Sequence, residues 1–159
     1  MAKKQALTGD FVEIKLKEGV YCFARVLREP YFAFYDACSE DTQEVEELAA
    51  RTVMFKLAVM NRAIASGRWR VIGHLPLEEE LRLPIKTFKQ DAISRKLYVY
   101  VDGQERPATR EECEGLERAA VWDPEHVEDR LRDHFAGVPN KWAESLKLKA
   151  DAKVAPTPQ

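Results

Sequence analysis

The first 36 residues alternate as strands do and turn back on glycine, and this constrains the fold more than any other feature. Gly9-Asp10 opens a run from Phe11 to Leu16 in which Val12, Ile14 and Leu16 share one face and Glu13 and Lys15 the other. A period of two is that of a strand with one side buried. Lys17-Glu18-Gly19 supplies a turn, with Gly19 free to take a positive φ. Val20 to Leu27 then returns as a second strand, and Arg28-Glu29-Pro30 interrupts it because proline cannot donate to a ladder. Tyr31 to Asp36 follows as a third, aromatic strand. Three short strands on tight turns predict a small curled antiparallel sheet or a partly open SH3-like barrel.

Residues 39–50 break the alternation. Glu40, Asp41, Glu44, Glu46 and Glu47 come with no basic residue until Arg51, which predicts an exposed loop or short helix. Val53 to Met60 reads as a central strand, Asn61 to Ser66 as a helical turn closed by Gly67, and Trp69 to Gly73 as a further strand. Pro76 and Pro84 bracket a turn or one short helix, and Leu97 to Val101 is the last strand, ended by Asp102-Gly103. The period then becomes helical. Thr109 and Glu112 make a capping box ahead of an apolar stripe of Cys113, Leu116, Ala119 and Ala120. Asp123 and Pro124 start a second helix whose buried face is Val127, Leu131 and Phe135, with Gly137 as its stop. The expectation is an α+β protein, with two C-terminal helices after the sheet. At 159 residues it is read as one domain over residues 9–137, followed by a partly flexible tail over 138–159. In that tail Trp142 and Leu146 have the spacing of a docked helix, and the last ten residues are expected to be mobile.

Charge is distributed unevenly. Residues 102–137 hold five basic and eleven acidic side chains, a balance of −6, while the whole chain carries −2. The lack of a basic excess argues against a phosphate-backbone binder, so no nucleic-acid partner is expected. No apolar stretch approaches the roughly 18 residues that cross a bilayer, and the N-terminus lacks the apolar run of a secretory signal, so neither a membrane partner nor export is expected and a cytoplasmic location is read. Cys22, Cys38 and Cys113 are widely spaced and odd in number, unlike a disulfide framework or a zinc site.

Seven isolated glycines exclude the P-loop, the nucleophile elbow and the dinucleotide fingerprint, which all need glycines at fixed spacing. His126 and His134 lie two turns apart on one helix, too far to share a metal, and His74 ends a strand where a turn histidine is expected. No catalytic residue, metal ligand or cofactor is assigned. The aromatics offer more. Phe11, Tyr21, Phe23, Tyr31, Phe32, Phe34 and Tyr35 crowd one meander, so either helices cover its second face or Tyr31 and Tyr35 show partly to solvent. Exposed tyrosines beside acids suit protein recognition, because they give contact area at little entropic cost.

Several blocks together resemble the bacterial immunity protein 26 family. They are Gly9-Asp10-Phe11-Val12-Glu13-Ile14, Gly19 to Arg25-Val26-Leu27, Ser66-Gly67-Arg68-Trp69, Ile72-Gly73-His74-Leu75-Pro76-Leu77, and Arg106-Pro107-Ala108-Thr109 to Leu116-Glu117. The resemblance covers residues 9–137. It implies a cognate toxin as partner, bound and neutralised without catalysis. A phosphotriesterase label travels with the family, which keeps metal-assisted hydrolysis of organophosphate triesters as the alternative. Acidic surface suits an antidote to a nuclease, whose substrate cleft is basic. Such surface occurs at residues 40–47 and 111–133. The residues expected to meet the toxin are Glu40, Asp41, Glu44, Glu46 and Glu47, with Tyr31 or Tyr35 as an aromatic anchor.

Overall fold

The structure, a computed structural model, describes residues 5–41 and 43–150. Ten strands form among the described residues: β1 (Asp10–Lys17), β2 (Val20–Val26), β3 (Tyr31–Ser39), β4 (Val53–Val59), β5 (Trp69–His74), β6 (Thr87–Gln90), β7 (Leu97–Val101), β8 (Gln104–Pro107), β9 (Glu117–Arg118) and β10 (Val121–Trp122). The helices are α1 (Val45–Ala49), α2 (Arg62–Ala65), α3 (Arg110–Cys113), α4 (Pro124–Ala136) and α5 (Lys141–Ser145). Two compact units result, one from the chain up to Leu83 with Ala120–Ala143, the other from Pro84–Ala119 with the chain from Glu144 on.

The first unit is built on an open six-stranded sheet in the order β10-β4-β3-β2-β1-β5. All neighbours are antiparallel except β10 and β4. The expected meander is present, and each turn glycine lies where the pattern puts it, with Gly19 at φ 73°. Both faces of the sheet are covered. On one, Trp69 stands edge-on to Phe32 and Phe34, with ring centroids 5.5 and 5.8 Å away. Helix α4 brings Val127 and Leu131, both fully buried, and the Trp69 indole N–H donates to Glu128 Oε2 at 3.0 Å. On the other face Phe11, Phe23, Tyr35 and Leu48 form a second cluster, with Val45, Ala49, Val53, Ile72 and Leu75 packed against it.

The second unit has a four-stranded sheet, β8-β7-β6-β9, whose core is Phe88, Leu97, Val99 and Cys113, flanked by Ala108, Leu116 and Leu148. The capping box forms as read. Thr109 Oγ1 accepts from the Glu112 amide and Glu112 Oε1 accepts from the Thr109 amide, each at 3.2 Å.

Several expectations change. The helix after Thr109 ends at Cys113, because Gly115 turns the chain with φ 80°, so Ala119 and Ala120 lie outside it and the strands β9 and β10 follow. Phe135 is 36% exposed rather than buried. Steps of four overshoot a 3.6-residue turn by about 40° each, so the third member of the series Val127, Leu131, Phe135 rotates off the core. Strands β6 and β8 escaped the sequence reading, since each is four residues long and β8 buries nothing. The expectation of mobility for the last ten residues falls, from residue 151 on, outside the described residues.

Helix α1 fits against β5 only because residue 73 has no side chain. A Cβ on Gly73 would stand 2.5 Å from Val45 Cγ1, and a β-branched valine has little freedom to yield. Gly73→Ala is therefore expected to lower stability by about 1–3 kcal/mol, as overpacking does. Urea unfolding measures it, and an unchanged midpoint would show that α1 does not press on β5.

Candidate functional site: an acidic helix braced by a buried arginine

Residues 39–49 supply both an apolar and an acidic face. Val45, Leu48 and Ala49 belong to the cluster under the sheet, while Glu40, Asp41, Glu44, Glu46 and Glu47 are all exposed. Ser39 ties the segment to the strand, its Oγ accepting from the Asp41 amide at 3.0 Å and from Gln43 Nε2 at 2.9 Å. Among the described residues none of the five acids forms an ion pair. The segment read as an exposed loop or short helix is a loop running into the five-residue α1, which docks through Val45, Leu48 and Ala49 with its charge facing water.

What holds the sheet beneath α1 is Arg25, whose side chain is completely buried. Its Nε donates to the Gly9 carbonyl at 2.8 Å, and Nη2 donates to the carbonyls of Leu75 and Pro76 at 2.6 and 2.9 Å. Nη1 reaches the Tyr35 hydroxyl and Glu78 Oε2, both at 3.2 Å, and the guanidinium lies 4.1 Å over the Phe11 ring. Burial pushes the Tyr35 hydroxyl above its ordinary pKa, against the pull of Arg25, so it stays protonated. Alongside, the buried Asp10 carboxylate meets His74 Nδ1 at 2.8 Å and accepts from the Leu7 amide at 2.9 Å. Gly9, at φ 102°, allows this closeness, since a Cβ there would lie 2.6 Å from the Leu75 carbonyl oxygen.

The acids of α4 are spent differently. Glu128, 3% exposed, accepts from Arg68 Nε and Nη2 at 2.6 and 2.8 Å as well as from Trp69. Glu125 takes a two-pronged contact from Arg62 at 2.8 and 2.6 Å, which holds its carboxyl at about 2, well below the usual range. Asp129 accepts from Arg132 at 2.9 Å and from the Trp142 indole at 3.0 Å, and Asp133 accepts from Asn140 at 2.9 Å. Asp123 occupies the N-cap without capping, and faces Arg62 and His126 instead. The acids of α4 are thus largely neutralised in place, whereas Glu111 and Glu114 of the same stretch stay exposed without an ion pair among the described residues.

The structure thus brings Glu40, Asp41, Glu44, Glu46 and Glu47 together on one exposed segment. It does not bring the tyrosines to them. Tyr35 is 1% exposed, because α1 and the chain around Leu75 cover that face of the sheet, so of the two alternatives Tyr35 takes the covered one and offers no exposed anchor. Tyr31 is half-buried at the far end of β3 from Glu40, about 30 Å away at a rise of about 3.3 Å per residue. Sequence reasoning missed Arg25, Asp10 and Glu78 as a cluster. Its trace was present in the resemblance, whose blocks Gly9-Asp10, Arg25 and Gly73 to Pro76 converge here, while Ser66 to Trp69 meets Glu128. Cys113 is packed as read, and His74 pairs with a carboxylate rather than with backbone. No three His, Cys, Asp or Glu side chains among the described residues are placed to hold a metal ion.

These features define a class: a small α+β scaffold whose internal ion pairs brace the sheet and whose unpaired charge faces outward. The sequence profile of Immunity protein 26 matches residues 8–98, more than half of the chain. The chain belongs to that family of immunity proteins. No curated protein and no solved structure matches it. No helix among the described residues is long and apolar enough to cross a membrane.

Arg25→Met would strand three carbonyls and Glu78, and is expected to cost about 3–5 kcal/mol in chemical denaturation. Arg25→Lys should recover little, because an ammonium cannot reproduce the planar fork of donors. Full recovery by lysine would mean that charge alone matters. Glu125 is lowered chiefly by the Arg62 contact, so its support of the fold is complete above the ordinary carboxylate range and fades as pH falls toward 2. An NMR titration should place its midpoint near 2, and Arg62→Ala should return it toward the ordinary value; a midpoint indifferent to Arg62 would refute the assignment.

Proposed function

We propose that this immunity protein neutralises its cognate toxin by covering the toxin's active face with the acidic segment Glu40 to Glu47, without catalysis, in the cytoplasm. Residues 9–137 carry the activity in this reading. One observation supports it above the others: five exposed carboxylates without cationic partners stand on and just ahead of a short helix anchored to the sheet. On α4 the same kind of side chain is consumed in ion pairs with Arg62, Arg68 and Arg132, so the densest run of free carboxylates among the described residues lies at residues 40–47. Carboxylates on a stiff support meet a basic cleft without an ordering cost, and their field speeds encounter. A nuclease is the toxin class this fits, because its cleft must attract phosphates. Tyr31 serves at the edge of the contact, since an interface of about 800 Å² per partner is only about as wide as its distance from Glu40.

The test is charge reversal. Glu44→Lys with Glu47→Lys is expected to slow association with the cognate toxin by about tenfold and to flatten its salt dependence. The same exchange at Glu111 and Glu114 serves as a control and should change little. Unchanged kinetics in the first variant would remove this patch from the interface. Turnover of a chromogenic phosphotriester by the full chain would instead favour the hydrolase reading.

A further inference from the structure

Cys22 and Cys38 are direct partners across β2 and β3, in register with Tyr21 opposite Ser39 and just before the register shifts. Directly opposed residues in antiparallel strands point to the same face, with Cα atoms about 4.5–5.5 Å apart. That lies within the roughly 4.4–6.8 Å that a disulfide spans. Both thiols are free. They differ in access: Cys22 is fully buried and Cys38 is exposed. We infer that Cys22 and Cys38 form a reversible dithiol–disulfide site, in which Cys38 meets the oxidant and Cys22 closes the bond. This goes beyond toxin binding and does not rest on it.

The chemistry balances with a peroxide as oxidant. The Cys38 thiolate attacks one peroxide oxygen, the O–O bond breaks, and after proton transfer one water leaves and a sulfenic acid remains. The Cys22 sulfur then attacks the Cys38 sulfur as its own proton departs, the S–O bond breaks, and a second water leaves. The two sulfurs lose two electrons in all and the peroxide gains them. Burial pushes the Cys22 thiol above its ordinary pKa, with the adjacent Cys38 adding to this. Cys22 is therefore the resolving partner rather than the first to react. The cross-link ties β2 to β3 immediately before Ser39, where the acidic segment begins. Cys113, buried in the other unit, takes no part.

The experiment uses the full chain, treated with hydrogen peroxide, then denatured and alkylated without reduction. The expected product is a monomer that has lost two hydrogens and exposes only Cys113 to alkylation. A tryptic digest should join Glu18–Arg25 to Glu29–Arg51, and dithiothreitol should release them. Cys38→Ser, at an exposed site, should abolish the loss of hydrogens, whereas Cys113→Ser should leave it intact. A stable oxygen adduct at Cys38 with Cys22 still open to alkylation, or cross-linking only between molecules, would overturn the inference.

Discussion

The structure of the larger unit depends on a guanidinium held wholly out of water. Desolvating such an ion costs several kcal/mol, and the cost is recovered only if its donors find partners of good geometry. Arg25 does this by taking carbonyls from two chain segments distant in sequence, around Gly9 and around Leu75, while resting on Phe11 and meeting Tyr35 and Glu78. A single side chain thereby fixes the entry to β1, the end of β2, the middle of β3 and the exit from β5. The flat five-donor fork is essential, since these acceptors lie in several directions at once.

That anchoring determines what the acidic segment can do. With Phe11, Tyr35 and Leu75 held in place, Val45 and Leu48 have a fixed surface to dock on, and the carboxylates between them are left in water. Acids near an arginine-rich neighbour have a different fate. Arg62, Arg68 and Arg132 consume those of α4, and Glu128 couples that helix to Trp69 on the opposite face. A charge count would rank residues 102–137 as the acidic module of the protein. The ion pairs show that the acids of α4 are held by arginines, whereas the five at residues 40–47 form no ion pair among the described residues.

Much of the fold was readable in advance, for reasons that are local. The meander from Phe11 to Asp36, the central strand at Val53, the Thr109–Glu112 box and the start of α4 at Asp123-Pro124 all follow from a period or a cap that a short window contains. The strands β6 and β8 are too short for any period to show. Phe135 misled because a run of fours imitates a helical stripe before it drifts off it. Of the candidate site, the acids were legible as a run without lysine or arginine, and Arg25 was present only as one letter in a familiar block.

The order of residues alone determined the strand-and-turn grammar of the first half, the helical ends of the second, and the family to which the chain belongs. These depend on neighbours a few positions apart, where backbone sterics and hydrogen bonding act directly. Tertiary structure alone decided that Tyr35 is covered, that α1 is the cover, and that the acids of α4 are paired with arginines while those at residues 40–47 are not. Burial and ion pairing depend on which side chains arrive together from positions such as 25, 35, 75 and 78, and no local pattern carries that information.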